Sequence, residues 1–293
     1  MIPVFYRPEQ SSTAAVHYSP SASKPQLVVQ DWLSNEAIGA HVQIETFDPA
    51  SDDILCGAHD RAYVHGVLTG QKNNGFGNTS QEIAQSLRYT TGSMLAAAKH
   101  VLSKMPASSF RVAVSPTSGF HHAGRNFGGG FCTFNGLMVA AIQVHRLGLA
   151  RRILILDMDQ HYGNGTDDII DKLGLDYVDH ITAGQPYRTA AQALHCADLL
   201  RNDAFGRKQY DLVLYQAGAD IHIDDPLGGL LTTEQMRQRD QLVFHACAAL
   251  GVPVVWNLAG GYKRDAQGRI DPVLALHRAT MMECIQQGRN HGL

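Results

Sequence analysis

The sequence is poor in charge, has no paired-cysteine motif and contains no apolar run long enough to cross a bilayer. Charged residues make up 17% of its 293 positions, below the usual quarter, and 24 Lys and Arg stand against 27 Asp and Glu for a formal charge of −3. Such a balance supplies no basic field, so no nucleic-acid partner is expected. The five cysteines (Cys56, Cys132, Cys196, Cys247 and Cys284) are odd in number and form no CxxC pair. They read as reduced packing thiols of a cytoplasmic protein. The longest apolar stretch, Ala246 to Trp256, is broken by Gly251 and Pro253 and falls far short of the roughly 20 residues of a membrane span. Met1 to Tyr6 shows no basic segment leading into an apolar one, so neither export nor a membrane partner is expected. GxGxxG and GK[ST] spacing is also missing, which argues against reading Gly124 to Gly130 as a nucleotide loop.

What is present is a 44% hydrophobic chain without repeats or long linkers, expected to form a single domain over residues 1–293. The Ser-, Ala- and Pro-rich segment Gln10 to Pro25 and the Asn- and Gly-rich segment Gln71 to Thr79 read as loops. Four short β-rich runs recur: Arg111 to Val114, Arg152 to Leu156, Leu212 to Tyr215 and Val252 to Trp256. Gln81 to Leu102, Leu137 to Leu147, Ala190 to Leu200, Thr233 to Leu250 and Pro272 to Ile285 carry apolar residues at spacings of three and four, the mark of amphipathic helices. Strands alternating with helices imply an α/β fold around a mainly parallel sheet, covered on both faces. After each of the four strands comes a polar or glycine-rich segment, at the sheet edge where open parallel sheets bind ligands.

Asp157-Met158-Asp159-Gln160-His161 follows the second run. Side chains two apart on extended chain face the same way, so two carboxylates and an imidazole would converge. Packed carboxylates repel, and a divalent cation turns that cost into binding energy. The alternative is that Asp157 or Asp159 merely caps the next helix. Asp220, after the third run, supplies the natural third ligand. Asp159, His161 and Asp220 then offer two oxygens and one nitrogen, leaving room for water and substrate. Zinc is the expected ion, with Fe(II) and Co(II) as alternatives. Adjacent His121 and His122 mean little alone, but beside a hydrolytic metal one takes a proton while the other stabilises charge, oriented by Asp157. Tyr262, after Gly260 and Gly261, reads as an aromatic plug or, given the metal, as an oxyanion donor.

These residues fall into motifs that together resemble the zinc-dependent histone deacetylase family. They are His121-His122-Ala123, Gly129 to Asn135, Asp157 to Thr166, Gly218-Ala219-Asp220 with Asp225 to Gly229, and Gly260-Gly261-Tyr262. The resemblance covers roughly Ser115 to Tyr262 and implies the three-layer arginase/deacetylase fold. It implies Asp159, His161 and Asp220 as zinc ligands, His122 as general base and then acid, His121 as its electrostatic partner held by Asp157, and Tyr262 as the carbonyl-polarising phenol. Asn164 takes the position that pairs His122. Gly130, through its carbonyl, and Phe131 map onto an acyl-lysine tunnel, and a monovalent cation, potassium, is implied on the strand carrying Asp157, Asp159 and His161. The implied reaction is hydrolysis of an acetylated or otherwise acylated amine, most simply an acyl-lysine side chain of a peptide or protein, or a small acylated amine.

The departures are specific. From His180 to Pro186 the chain runs directly toward a helix, without the family's long loop, so that tunnel wall is expected to be missing or rebuilt after residue 182. Tyr162 stands where many members carry a second histidine, and Asn164 where some carry Asp. Leu227 occupies the place of the acidic gatekeeper of polyamine-deacetylating members, which argues against a cationic polyamine. Two rivals follow: a two-manganese ureohydrolase drawing on Asp167 and Asp168, and a non-catalytic acyl-lysine binder. Association into a homo-oligomer is left open.

Overall fold

The structure is a computed structural model that describes residues 1–12, 19–103, 110–184, 187–201 and 209–291. Seven strands form one sheet: β1 (Ile2–Phe5), β2 (Val42–Glu45), β3 (Val112–Ser115), β4 (Ile153–Asp157), β5 (Val178–Ile181), β6 (Leu212–Gln216) and β7 (Val254–Asn257). Their order is β2-β1-β3-β7-β6-β4-β5, and every pairing is parallel. The four strands expected from sequence are β3, β7, β6 and β4, which lie side by side. Register aligns Ser115 with Asn257, Gln216 with Asn257, and Asp157 with Gln216, so their carboxyl ends form one rim.

Alternation along each strand divides the core. Val254 and Trp256 of β7 and Val213 and Tyr215 of β6 enter one layer, whereas Val255, Leu212 and Leu214 enter the other. The first layer is closed by helices Lys24–Ser34, Ala190–Ala197, Thr233–Leu250 and Asp271–Asn290; there Trp32 meets Trp256 edge-on at 5.7 Å. Helices Gln81–Ser103, Gly136–Arg146 and Asn164–Leu173 close the second through residues such as Met94, Ile142 and Ile169. Burial on both faces explains why these strands are unbroken apolar runs.

Helix ends follow local chemistry. The Thr233–Leu250 helix opens with a reciprocal box, in which Thr232 Oγ1 accepts from Gln235 N and Gln235 Oε1 from Thr232 N, and it stops at left-handed Gly251. Asn135 caps the Gly136–Arg146 helix by accepting from Met138 N at 3.1 Å. Its amide nitrogen also reaches Ala123 O and Thr166 Oγ1, tying that helix start to the loop after β3. The Gln10 to Pro25 loop is corrected at its end, since a helix begins at Lys24; residues 13–18 lie outside the described residues. The expected helix Ala190 to Leu200 ends at Ala197 and gives way to a 3-10 turn, Leu199–Arg201.

Candidate active site and metal centre

The rim of β4 and β6 brings Asp159, His161 and Asp220 together, with one ligand atom of each within 4.8 Å of the others. His161 Nδ1 faces both carboxylates, 3.1 Å from Asp159 Oδ1 and 2.9 Å from Asp220 Oδ2. Asp159 and Asp220 are buried, while the His161 side chain keeps 38% of its surface exposed and marks the open side. Hydrogen bonds from His161 to the two carboxylates lift its imidazole to about 10. Burial and the Asp159 charge push Asp220 up, and Asp159 goes down beside the cationic histidines despite its burial. Two oxygens and a nitrogen on a half-open face fit a divalent ion.

Asp157 points elsewhere. Its carboxylate accepts from His121 Nδ1 at 2.6 Å, Gln216 Nε2 at 2.8 Å, Asp159 N at 3.2 Å and Thr182 Oγ1 at 3.3 Å. On its far side His180 Nε2 lies 3.6 Å away, and His180 Nδ1 binds Asp167 at 2.7 Å. With its lone pairs so engaged, Asp157 stays outside the ligand cluster. Nor does either aspartate cap the following helix, whose N-cap is Gly163 with no side-chain cap.

His121 and His122 sit in the loop that follows β3, with ring centroids 4.1 Å apart. Burial alone would depress His121, but the carboxylates of Asp157, Asp159 and Asp220 outweigh it and raise the imidazole to about 9. His122 goes the other way, lowered by burial and by the neighbouring His121 charge. Its Nδ1 donates to Asn164 Oδ1 at 2.7 Å, which leaves Nε2 with a free lone pair. Gly130 packs against this ring at φ +52, and a Cβ there would lie 2.3 Å from His122 Cδ2. Phe131 follows in a left-handed conformation, φ +65, between Phe76 (5.8 Å) and Tyr262 (5.9 Å). A non-glycine residue held there stores strain, a common trait of functional loops.

Tyr262 is 9% exposed, and its N–H donates to Asp225 Oδ2 at 2.6 Å. Burial raises its phenol, and the charges of Asp220 and Asp159 add to the effect, so the phenol lies within the field of the cluster. Gly260, at φ +50, passes so close to Asp220 that a Cβ would stand 2.3 Å from Oδ1. Leu227 lies 41% exposed on the turn that begins at Asp225, to which its N–H donates. Asp167 is taken by Tyr162 and His180, and Asp168 by Arg125 N and Lys172.

Several residues that sequence reasoning passed over hold this site. Fully buried Lys24 donates through Nζ to Gly260 O, and burial lowers it to about 8 although Asp220, Asp159 and Asp225 pull upward. Buried Arg239 reaches Gly218 O at 2.7 Å and Met158 O at 3.5 Å, bracing the two segments that carry Asp220 and Asp159. Asp240 balances its charge and is itself bound by Tyr215 and Thr280. Tyr187 enters beneath the β4 segment. For Lys24, Arg239 and Tyr187 no local pattern marks the role, whereas His180, a polar residue near the end of a strand, does carry a signal. Residues Gln185 and Pro186 of the expected missing wall lie outside the described residues.

A parallel α/β sheet with a candidate metal centre at its carboxyl rim is therefore the class of protein observed. The family model described as "Histone deacetylase domain" matches residues 20–178 and 185–274, and the chain belongs to the histone deacetylase family. It is 30% identical over 243 residues to an uncharacterized protein of Picosynechococcus sp., covering 75% of this chain and 77% of that one. Histone deacetylase 2 of Arabidopsis thaliana is 31% identical over 58% of this chain and 50% of its own length. Acetylpolyamine amidohydrolase of Mycoplana ramosa is 30% identical over 48% and 49%. The chain thus spans about half the length of these last two relatives. In fold it resembles an acetylpolyamine aminohydrolase from Burkholderia pseudomallei, with a TM-score of 0.75, 18% identity and coverage of 97% and 98%. Among the described residues no helix is long and apolar enough to cross a membrane.

Proposed function

We propose that this chain is a metal-dependent hydrolase that removes an acetyl or other acyl group from an amine, with an acyl-lysine side chain as substrate. One observation carries the reading: Asp159, His161 and Asp220 converge within 4.8 Å beside two histidines with opposite partners. The donor set suits Zn2+ and also accommodates Fe2+ or Co2+. When bound, such an ion supplies Lewis acidity to the amide carbonyl and makes water acidic enough to attack near neutral pH.

The remaining work belongs to side chains. His122, neutral at pH 7 with Nε2 free, takes the proton of the attacking water. Cationic His121, pinned by Asp157, offsets the negative charge that develops. Tyr262 donates a hydrogen bond from its phenol O–H to the tetrahedral oxyanion, a contribution of about 2.7–4 kcal/mol per donor. His122 then returns its proton to the amine nitrogen as the C–N bond breaks, giving the carboxylic acid and the amine, which part at neutral pH as carboxylate and ammonium. The Phe131 ring packs on the aliphatic stem of the substrate, and the Gly130 carbonyl is placed to accept from its amide N–H.

Exposed Leu227 gives the rim an apolar element, which favours an acyl-lysine peptide over a polycation. A second substrate reading has its own support: exposed Asp224 lies three residues away, and two similar proteins are named as acetylpolyamine hydrolases. The binuclear alternative loses ground because Asp167 and Asp168 are engaged elsewhere. Protein loaded with Zn2+ and assayed on acetyl-lysine peptides, longer acyl-lysines and a mono-acetylated polyamine tests the proposal, with metal counted per chain. One ion and turnover on acyl-lysine are expected. Two ions per chain would point to the ureohydrolase type, and one ion with no turnover on any substrate would leave a binder.

A further inference from the structure

The resemblance places a monovalent cation on the segment Asp157 to His161. Such an ion is held by oxygen atoms that replace its hydration shell, main-chain carbonyls above all. Two carbonyls of this segment, those of Asp157 and Asp159, do converge on one point. That point is filled by the hydroxyl of Tyr187, 2.8 Å from Asp159 O and 3.1 Å from Asp157 O. The side chain is 1% exposed and belongs to the hydrophobic layer that also holds Met158, Ala183 and Tyr215. A potassium ion and the phenol oxygen cannot occupy the same place between two carbonyls. The residues present do not fit the ion there.

Main-chain pairing beyond β5 places the phenol. Ala183 and Tyr187 form a parallel bridge, and Gly184 N donates to Tyr187 O at 3.2 Å, so Tyr187 enters immediately beside the end of the sheet. From there one hydroxyl group ties together the main chain on both sides of Met158, on the segment that presents Asp159 and His161. Asp159 carries a carboxylate of the candidate centre on its side chain while its carbonyl is held by the phenol.

We propose that Tyr187 takes the place of the monovalent cation in this chain: its hydroxyl fixes the Asp157–His161 segment from behind, and no potassium is needed at that point. Tyr187 is a positioning residue, acting on the centre through the main chain of Asp159. The inference rests on the metal reading above, and the measurements keep the two apart.

The thermal midpoint of metal-free protein and the Zn2+ affinity, by competition with a chromophoric chelator, are measured in KCl and in tetramethylammonium chloride at equal ionic strength. Both quantities are expected to be the same in the two salts. Tyr187→Phe keeps the ring and removes the hydroxyl; its Zn2+ affinity is expected to fall by about 10–100-fold in both salts, the usual cost of losing a group that orients a ligand. A potassium-specific rise in the wild-type midpoint or affinity would overturn the proposal, as would a Tyr187→Phe variant that binds Zn2+ as tightly as wild type. Should the variant fail to fold, the wild-type comparison decides alone. Should wild type bind no Zn2+, the metal reading falls, while the midpoint in the two salts still decides whether the phenol replaces the cation.

Discussion

The two sides of the site treat the same residue type in opposite ways. On the β4 side, His121 is clamped by the Asp157 carboxylate at 2.6 Å and carries a proton up to about 9. On the side of the Asn164–Leu173 helix, His122 meets an amide, Asn164, at 2.7 Å and is lowered by burial and by the charge next door. Neighbours in sequence are therefore pushed in opposite directions, and the partner decides which. A site that must both remove a proton and stabilise an anion needs that division.

The comparison can be broken most severely by removing what both sides serve. His161→Ala deletes the only nitrogen donor of the cluster, and retained metal and turnover on acyl-lysine are both expected to fall below detection. Next, His122→Ala is expected to lower kcat/KM by about 10²–10⁴-fold with metal content unchanged. An equal loss in His121→Ala and His122→Ala in metal-replete protein would show that the two are not differentiated. Tyr262→Phe should cost about 10²–10³-fold, the loss of one oxyanion donor, again without loss of metal.

Asn164→Asp sharpens the contrast by giving His122 the kind of partner that His121 has. In wild type burial and the His121 charge lower His122, so activity is expected to fall as pH drops through that depressed value. A carboxylate stabilises the cation and raises the pKa. The acid limb of the kcat/KM profile is then expected to move to higher pH, by about 1 unit or more. A profile that does not move would remove His122 from the role of base.

His59 shows the third outcome, a histidine whose two ring nitrogens both bond main-chain groups. It is fully buried, with Nδ1 donating to Gly124 O and Nε2 accepting from Asn135 N, and burial lowers it to about 4. The unfolded chain takes up this proton near pH 6.5, whereas the folded chain resists until about 4. Stability is therefore expected to decline between those values, by about 3 kcal/mol from this group at roughly 1.36 kcal/mol per unit. Denaturant melts across that range should show a shallower decline in His59→Gln.

Much of the frame could be read in advance, for physical reasons visible in particular residues. Strands β3, β4, β6 and β7 are buried on both faces and read as plain apolar runs. The outer strands do not: β1 contains Pro3, β2 has Gln43 and Ile44 exposed, and β5 carries Asp179 and His180 at its centre. The Asn164–Leu173 helix was obscured because its first residues, Asn164, Gly165 and Thr166, belong to a motif that reads as chemistry. Asp157 also shows the limit of local geometry. Spacing by two places it with Asp159 and His161, yet His121, Gln216 and Thr182 draw it to the other side.

By itself, the sequence determined which strands end in chemistry and the order of those ends, because apolar periodicity and short motifs are local properties. The tertiary structure alone decided that β3, β7, β6 and β4 stand side by side, and that Lys24, Tyr187 and Arg239 reach the rim from distant segments. A buried ammonium, phenol or guanidinium is set in place by the carbonyls that satisfy it. Those carbonyls are brought near only when the sheet has closed.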